Sequence, residues 1–90
     1  MAHAVVIHVK LPDGGRSDEG RRMLDEVVVP NAKSQPGFKR GIWMNNGEDG
    51  RAVVVFDSEE QAQSALNILK PPPGGPTLLS SEVYEVAVEA

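Results

Sequence analysis

Cysteine is absent from the 90 residues, which excludes disulfides, thiolate metal sites and a cysteine nucleophile while leaving the compartment open. Aromatics are scarce: Phe38, Trp43, Phe56 and Tyr84 are the whole complement, thin material for a core that must close without help. Histidine stops at His8, and no His, Asp or Glu spacing matches a metal site. Positive charge is not in excess either. A formal net charge of -4 works against attraction to phosphate backbones or anionic lipid, so neither nucleic acid nor membrane is expected as a partner. The longest strand-like apolar run, Ala4 to Val9, is too short to span a bilayer and carries no small-residue cleavage site. The expectation is a mature chain starting at Met1 or Ala2, in the cytoplasm.

What is present suits one domain over residues 1–90, with 40% apolar residues and room for a single two-layer core. Ala4 to Leu11 is apolar and β-branched on both alternating faces, the pattern of a strand covered on each side. Pro12-Asp13-Gly14-Gly15 reads as a turn, not a phosphate cradle, and Ser17 as the N-cap of a helix whose first turn carries Asp18 and Glu19. Gly20, Met23, Leu24, Val27 and Val28 stand at helical spacing, with Arg21, Arg22, Asp25 and Glu26 on a solvated face. Val27-Val28-Val29 followed by Pro30 predicts a kink near Val28 or a restart at Pro30.

Pro36-Gly37 is a corner anchored by Phe38. The strand Lys39 to Asn45 then predicts Phe38, Ile42 and Met44 on one face, Trp43 and Asn45 on the other. Asn46-Gly47 and Asp49-Gly50 signal a hairpin into Arg51 to Phe56. Ser58 with Gln61 reads as a capping box, ahead of a helix with Ala62, Ala65, Leu66 and Leu69 as its apolar stripe. Pro71 to Pro76 ends that helix as a stiff connector, and Ser81 to Val88 closes the chain as an alternating strand.

The order β-α-β-β-α-β with right-handed crossovers predicts an α+β, ferredoxin-like sandwich, a four-stranded antiparallel sheet with both helices on one face. Strands one and three are apolar on both faces, and the chain has no element left to cover the second. A second copy packed face to face supplies the cover, giving a homodimer through the sheet faces.

Val29-Pro30, then Pro36-Gly37-Phe38, Val53-Val54-Val55-Phe56-Asp57-Ser58-Glu59-Glu60 and finally Glu82-Val83-Tyr84-Glu85-Val86 together resemble the antibiotic biosynthesis monooxygenase (ABM) family, across most of the chain and in the family's order. The resemblance implies a dimeric α+β barrel. It also implies a pocket between helices and sheet, lined by Asn, Trp, Tyr or His, in which polyphenolic substrates react with oxygen or, in some relatives, haem is cleaved. This chain departs from that pattern. His8 stands where the family has a first-strand Asn, Ala65 near its second-helix Trp, and Phe56 where many members carry Trp. No residue matches the haem-ligating His, which speaks against haem degradation.

The site candidates are therefore His8, Trp43, Asn45 and Tyr84, with no catalytic assignment and no cofactor or metal implied. His8 is the one whose side-chain type titrates near neutrality, so an oxygenase would use it as the base and Trp43 to hold the ring. Their structural readings are a hydrogen-bonded strand histidine and a core or interface filler. The scattered carboxylates are read as helix caps and solvated faces. The reading favoured by Ala62, Ala65 and Leu66 is a small-ligand-binding or assembly module that kept the fold without the catalytic residues. The alternative is a cofactor-independent monooxygenase acting on a small aromatic substrate. An RNA-binding sheet is disfavoured by the valines of strand three.

Overall fold

The computed structural model describes residues 1–12, 18–71 and 75–90. The Asp13–Gly15 turn, the Ser17 cap and the middle of the proline-rich connector lie outside the described residues. In chain order the elements are β1 (His3–Lys10), α1 (Asp18–Met23), a π-helical turn (Leu24–Val28), α2 (Val29–Lys33), β2 (Phe38–Asn46), β3 (Asp49–Phe56), α3 (Glu59–Leu66) and β4 (Thr77–Glu85). Counting α1 through α2 as one helical arm gives the expected β-α-β-β-α-β order. The strands form one antiparallel sheet in the order β2-β3-β1-β4, which puts the two strands richest in valine at its centre. No described helix is long and apolar enough to cross a membrane.

Pro30 explains the helical arm. It has no N–H to give the carbonyl four residues back, and its ring crowds that turn. The arm relaxes by widening, and the Val29 N–H reaches Leu24 O in the π register before α2 resumes with Pro30 in its first turn. The predicted kink is thus a π turn. The arm's apolar stripe is largely not buried: Met23 and Val27 are exposed, and of the arm only Ala32 is fully inside. The arm packs on the sheet through its C-terminal end.

Cross-strand pairs define the two faces. Val5 pairs with Val54, Ile7 with Ala52 and Val5 also with Val83, and this side carries the core, with Ala32, Phe56, Ala62, Ala65 and Leu69. The opposite side carries Ala4, Val6, His8 and Lys10 of β1, facing Val55, Val53, Arg51 and Asp49 of β3. No described helix lies on it.

Contrary to the alternation expected for β2, Phe38 does not share a face with Ile42 and Met44. The register shifts between Phe38 and Arg40, with Phe38 opposite Phe56 and Arg40 opposite Val55, so Lys39 is an extra, bulged residue. A one-residue slip inverts every side chain on one side of it. Phe38 therefore joins Trp43 against the core and meets Phe56 edge to face, with ring centroids 6.4 Å apart. Ile42 and Met44 are left on the helix-free face, 53% and 48% exposed.

Candidate functional site

The four candidates are placed by three strands and fall in separate regions. Trp43 projects to the helix side and packs against the core. Its ring lies over Gly41, where an added Cβ would stand 2.6 Å from the ring atom Cη2; the glycine makes room for the indole. Asn45 sits at the hairpin end, its amide donating to Gly47 O at 3.5 Å. Tyr84 pairs with Ala4 on the helix-free face, and its hydroxyl donates to Glu82 Oε2 at 3.4 Å.

His8 lies on the same helix-free face as Tyr84, four residues further along β1 than Tyr84's partner Ala4, a separation of roughly 13 Å at strand rise. Its Nε2 donates to Asp49 Oδ1 at 2.5 Å, and the Arg51 Nε lies 3.6 Å from Asp49 Oδ2. The hydrogen bond from His8 comes first among the causes that hold the Asp49 carboxyl below its ordinary range, with Arg51 adding to it and partial desolvation opposing it. Sequence reading misses this arrangement. Asp49 reads there only as a turn residue, and the signal that could have found it is pairing: His8 stands opposite Arg51, which places Asp49 one same-face step away.

His8 and Trp43 are thus on opposite sides of the sheet and share no cavity. Between helices and sheet, the layer is packed by Phe56, Ala62, Ala65 and Leu69. Two concavities among the described residues lie elsewhere. A groove of about 290 Å³ runs between Gln35-Pro36 and one side of α3, from Ser58 at its cap through Gln61 to Ala65. A shallow one lies along the outer side of α3 at Glu59, Gln63 and Asn67. Neither is lined by a candidate residue. Ser58 caps α3 by accepting from the Gln61 N–H at 3.2 Å, but the Gln61 side chain does not close the box. It turns under Gly37, whose φ of +82° and missing Cβ leave it space, and its Oε1 is buried with no partner. Among the described residues no group of three or more His, Cys, Asp or Glu is placed to hold a metal ion.

The C-terminal segment forms part of the same face. The Val86 N–H donates to Ala2 O at 3.0 Å. Three residues on, Glu89 lies 3.4 Å from Lys39 Nζ and 3.5 Å from Arg40 Nε. Three residues of extended chain cover roughly 10 Å, two strand spacings, so the segment leaves the end of β4 and heads across the end of the sheet toward β2, with the Glu89, Lys39 and Arg40 side chains closing the remaining gap. At that end Ala4 and Val55 are only 3% and 6% exposed, although they project from the side without helices.

No protein-family model matches the sequence, and no curated protein matches it either. Solved structures do. The chain is similar to SnoaB, a cofactor-independent oxygenase from Streptomyces nogalater solved as a mutant, at TM-score 0.70 and 15% identity over 98% of this chain and 95% of that one. A protein assigned as an antibiotic biosynthesis monooxygenase from Chloroflexus aurantiacus gives TM-score 0.62 at 15% identity, over 100% and 98% of the two chains. The haem-degrader MhuD from Mycobacterium tuberculosis, solved with two haems in its active site, gives 0.61 at 15%, over 100% and 99%. The fold is ABM-like. At these identities the likeness concerns the fold alone.

Proposed function

We propose that this chain is an ABM-fold assembly module that pairs through the helix-free face of its sheet and lacks a built oxygenase site. The observation that carries the reading is the separation of His8 and Trp43 by the sheet itself: the candidate histidine and the one indole able to hold an aromatic ring lie on opposite faces and do not line one cavity. The filled layer between helices and sheet points the same way. Assembly is supported by the helix-free face, where Ile42 and Met44 stand exposed beside half-buried Val6 and Val53. Four strands about 4.8 Å apart and about 26 Å long give a flat footprint of roughly 500 Å², before side-chain relief is counted. That is the order a standard interface takes from each partner, about 800 Å² of accessible surface. The face is also self-complementary. A two-fold axis running along the strands lays β2 over β4 of the second copy, which brings Arg40 within one same-face step of Glu82 in both directions.

The enzyme reading keeps one observation in its favour, the hydrogen bond that orients His8 on Asp49, an arrangement able to fix an imidazole tautomer for proton transfer. Two measurements on the wild-type protein test the proposal. Light scattering at micromolar concentration is expected to give about twice 9.7 kDa, and quinol or hydroxylated anthrone-like compounds are expected to cause no oxygen uptake. A monomer at every concentration overturns the assembly reading. Steady oxygen uptake that disappears in His8→Ala establishes the enzyme.

A further inference from the structure

The helix-free face is largely apolar in the rows through Val6 and Ala4 and polar toward the β2–β3 hairpin end, where one row adjoins the apolar ones. That row runs Met44, Arg51, His8 and Ser80 across β2, β3, β1 and β4, with Asp49 and Lys10 one step further along. We infer that this polar row lies inside the contact with a second copy of the chain and makes the assembly sensitive to pH through His8. The inference rests on the assembly proposed above and names what regulates it.

Charge balance on a surface that loses its water decides the direction of the effect. The groups facing His8 are Lys10 on its own strand, Asp49 and Arg51 on β3 and, one row away, Glu82 on β4; β2 contributes Met44, which does not titrate, and the helices lie on the other side. With His8 neutral, Asp49 and Arg51 form a balanced pair 3.6 Å apart, and the His8 N–H is satisfied by the same carboxylate. With His8 protonated, one carboxylate must serve an imidazolium and a guanidinium, with the Lys10 ammonium beside them. On an isolated chain water shares that load. His8 and Asp49 keep part of their surface, with side chains 29% and 42% accessible. When two such faces meet, water leaves and each copy brings its own surplus cation, so burial and like-charge repulsion both favour separation. Neutral His8 takes one positive charge off each face. Assembly is therefore strong above the imidazole range and weak below it, and dissociation takes up protons, at most one on each His8. Two protons per dimer limit the effect to about a hundredfold in Kd per pH unit.

The experiment is sedimentation velocity over a dilution series at pH 7.5 and 5.5, on wild type, His8→Gln and Asp49→Asn, with circular dichroism at each pH to confirm a folded chain. Wild type is expected to dimerise at pH 7.5 and to weaken about tenfold or more at pH 5.5. His8→Gln, which keeps a side-chain N–H for Asp49 without a titratable group, is expected to dimerise with the same Kd at both. Asp49→Asn, which removes the balancing carboxylate, is expected to be the weakest at pH 5.5. A wild-type dimer with equal Kd at the two pH values overturns the inference and leaves the assembly reading standing, as does a His8→Gln protein that keeps the full wild-type pH dependence. A monomer at both pH values overturns both.

Discussion

Trp43 and Gly41 share one space, and that makes the only tryptophan of the chain a reporter for its own packing. Gly41→Ala puts a methyl group where the indole lies, so the ring must move off its seat. A loss of about 1–3 kcal/mol of stability is expected, measured by denaturant unfolding followed through tryptophan emission, with the native spectrum already red-shifted. Asp49 gives a second expectation at this scale. Its folded pKa is lowered, so it contributes stability that is present above the ordinary carboxylate value of about 4 and is lost as pH falls through the depressed folded value. Asp49→Asn is therefore expected to flatten the acid limb of the stability curve below about pH 4, read from denaturant midpoints at a series of pH values, and to change little at the corresponding limb above about pH 8.

At the scale of elements, Ser58 gives the third expectation: Ser58→Ala removes the acceptor for the Gln61 N–H and is expected to cost about 1 kcal/mol, seen as a lower urea midpoint at constant slope. The elements themselves are legible in the sequence because each carries its own period and punctuation. Runs of consecutive valine mark β1 and β3, the Ser58 cap and the Ala62-Ala65-Leu69 stripe mark α3, and Pro30 marks the break in the first arm. The β2 bulge is not legible. Lys39 has nothing in its chemistry that announces an unpaired residue, yet it decides that Phe38 faces the helices and Ile42 does not. The candidate site suffers from the same gap. His8 and Trp43 can be picked out by residue type, but whether they meet depends on which face each strand turns toward the helices, and that depends on register. The loose docking of α1 is hidden for a related reason, since helical spacing shows that a stripe exists and not how close the sheet comes to it.

For the whole molecule, the alternation of β3 provides a paired test of its two faces. Val54 is sealed in the core and its neighbour Val53 points to the helix-free side. Val54→Asp is expected to leave no cooperative unfolding transition, because an unpaired carboxylate in that core costs several kcal/mol. Val53→Asp is expected to fold and run as a monomer in size-exclusion chromatography, with wild-type circular dichroism. If both variants remain dimeric, or both unfold, the division of the two faces is wrong. The crossing C-terminal segment has a practical consequence for anyone handling the protein. Glu89 is tied to Lys39 and Arg40, so whatever is joined after Ala90, be it an affinity tag, a fluorescent reporter or a surface tether, is delivered to the rim of the helix-free sheet. Attachment there would obstruct a second copy, and a protein immobilised by that end would look solitary for reasons of plumbing.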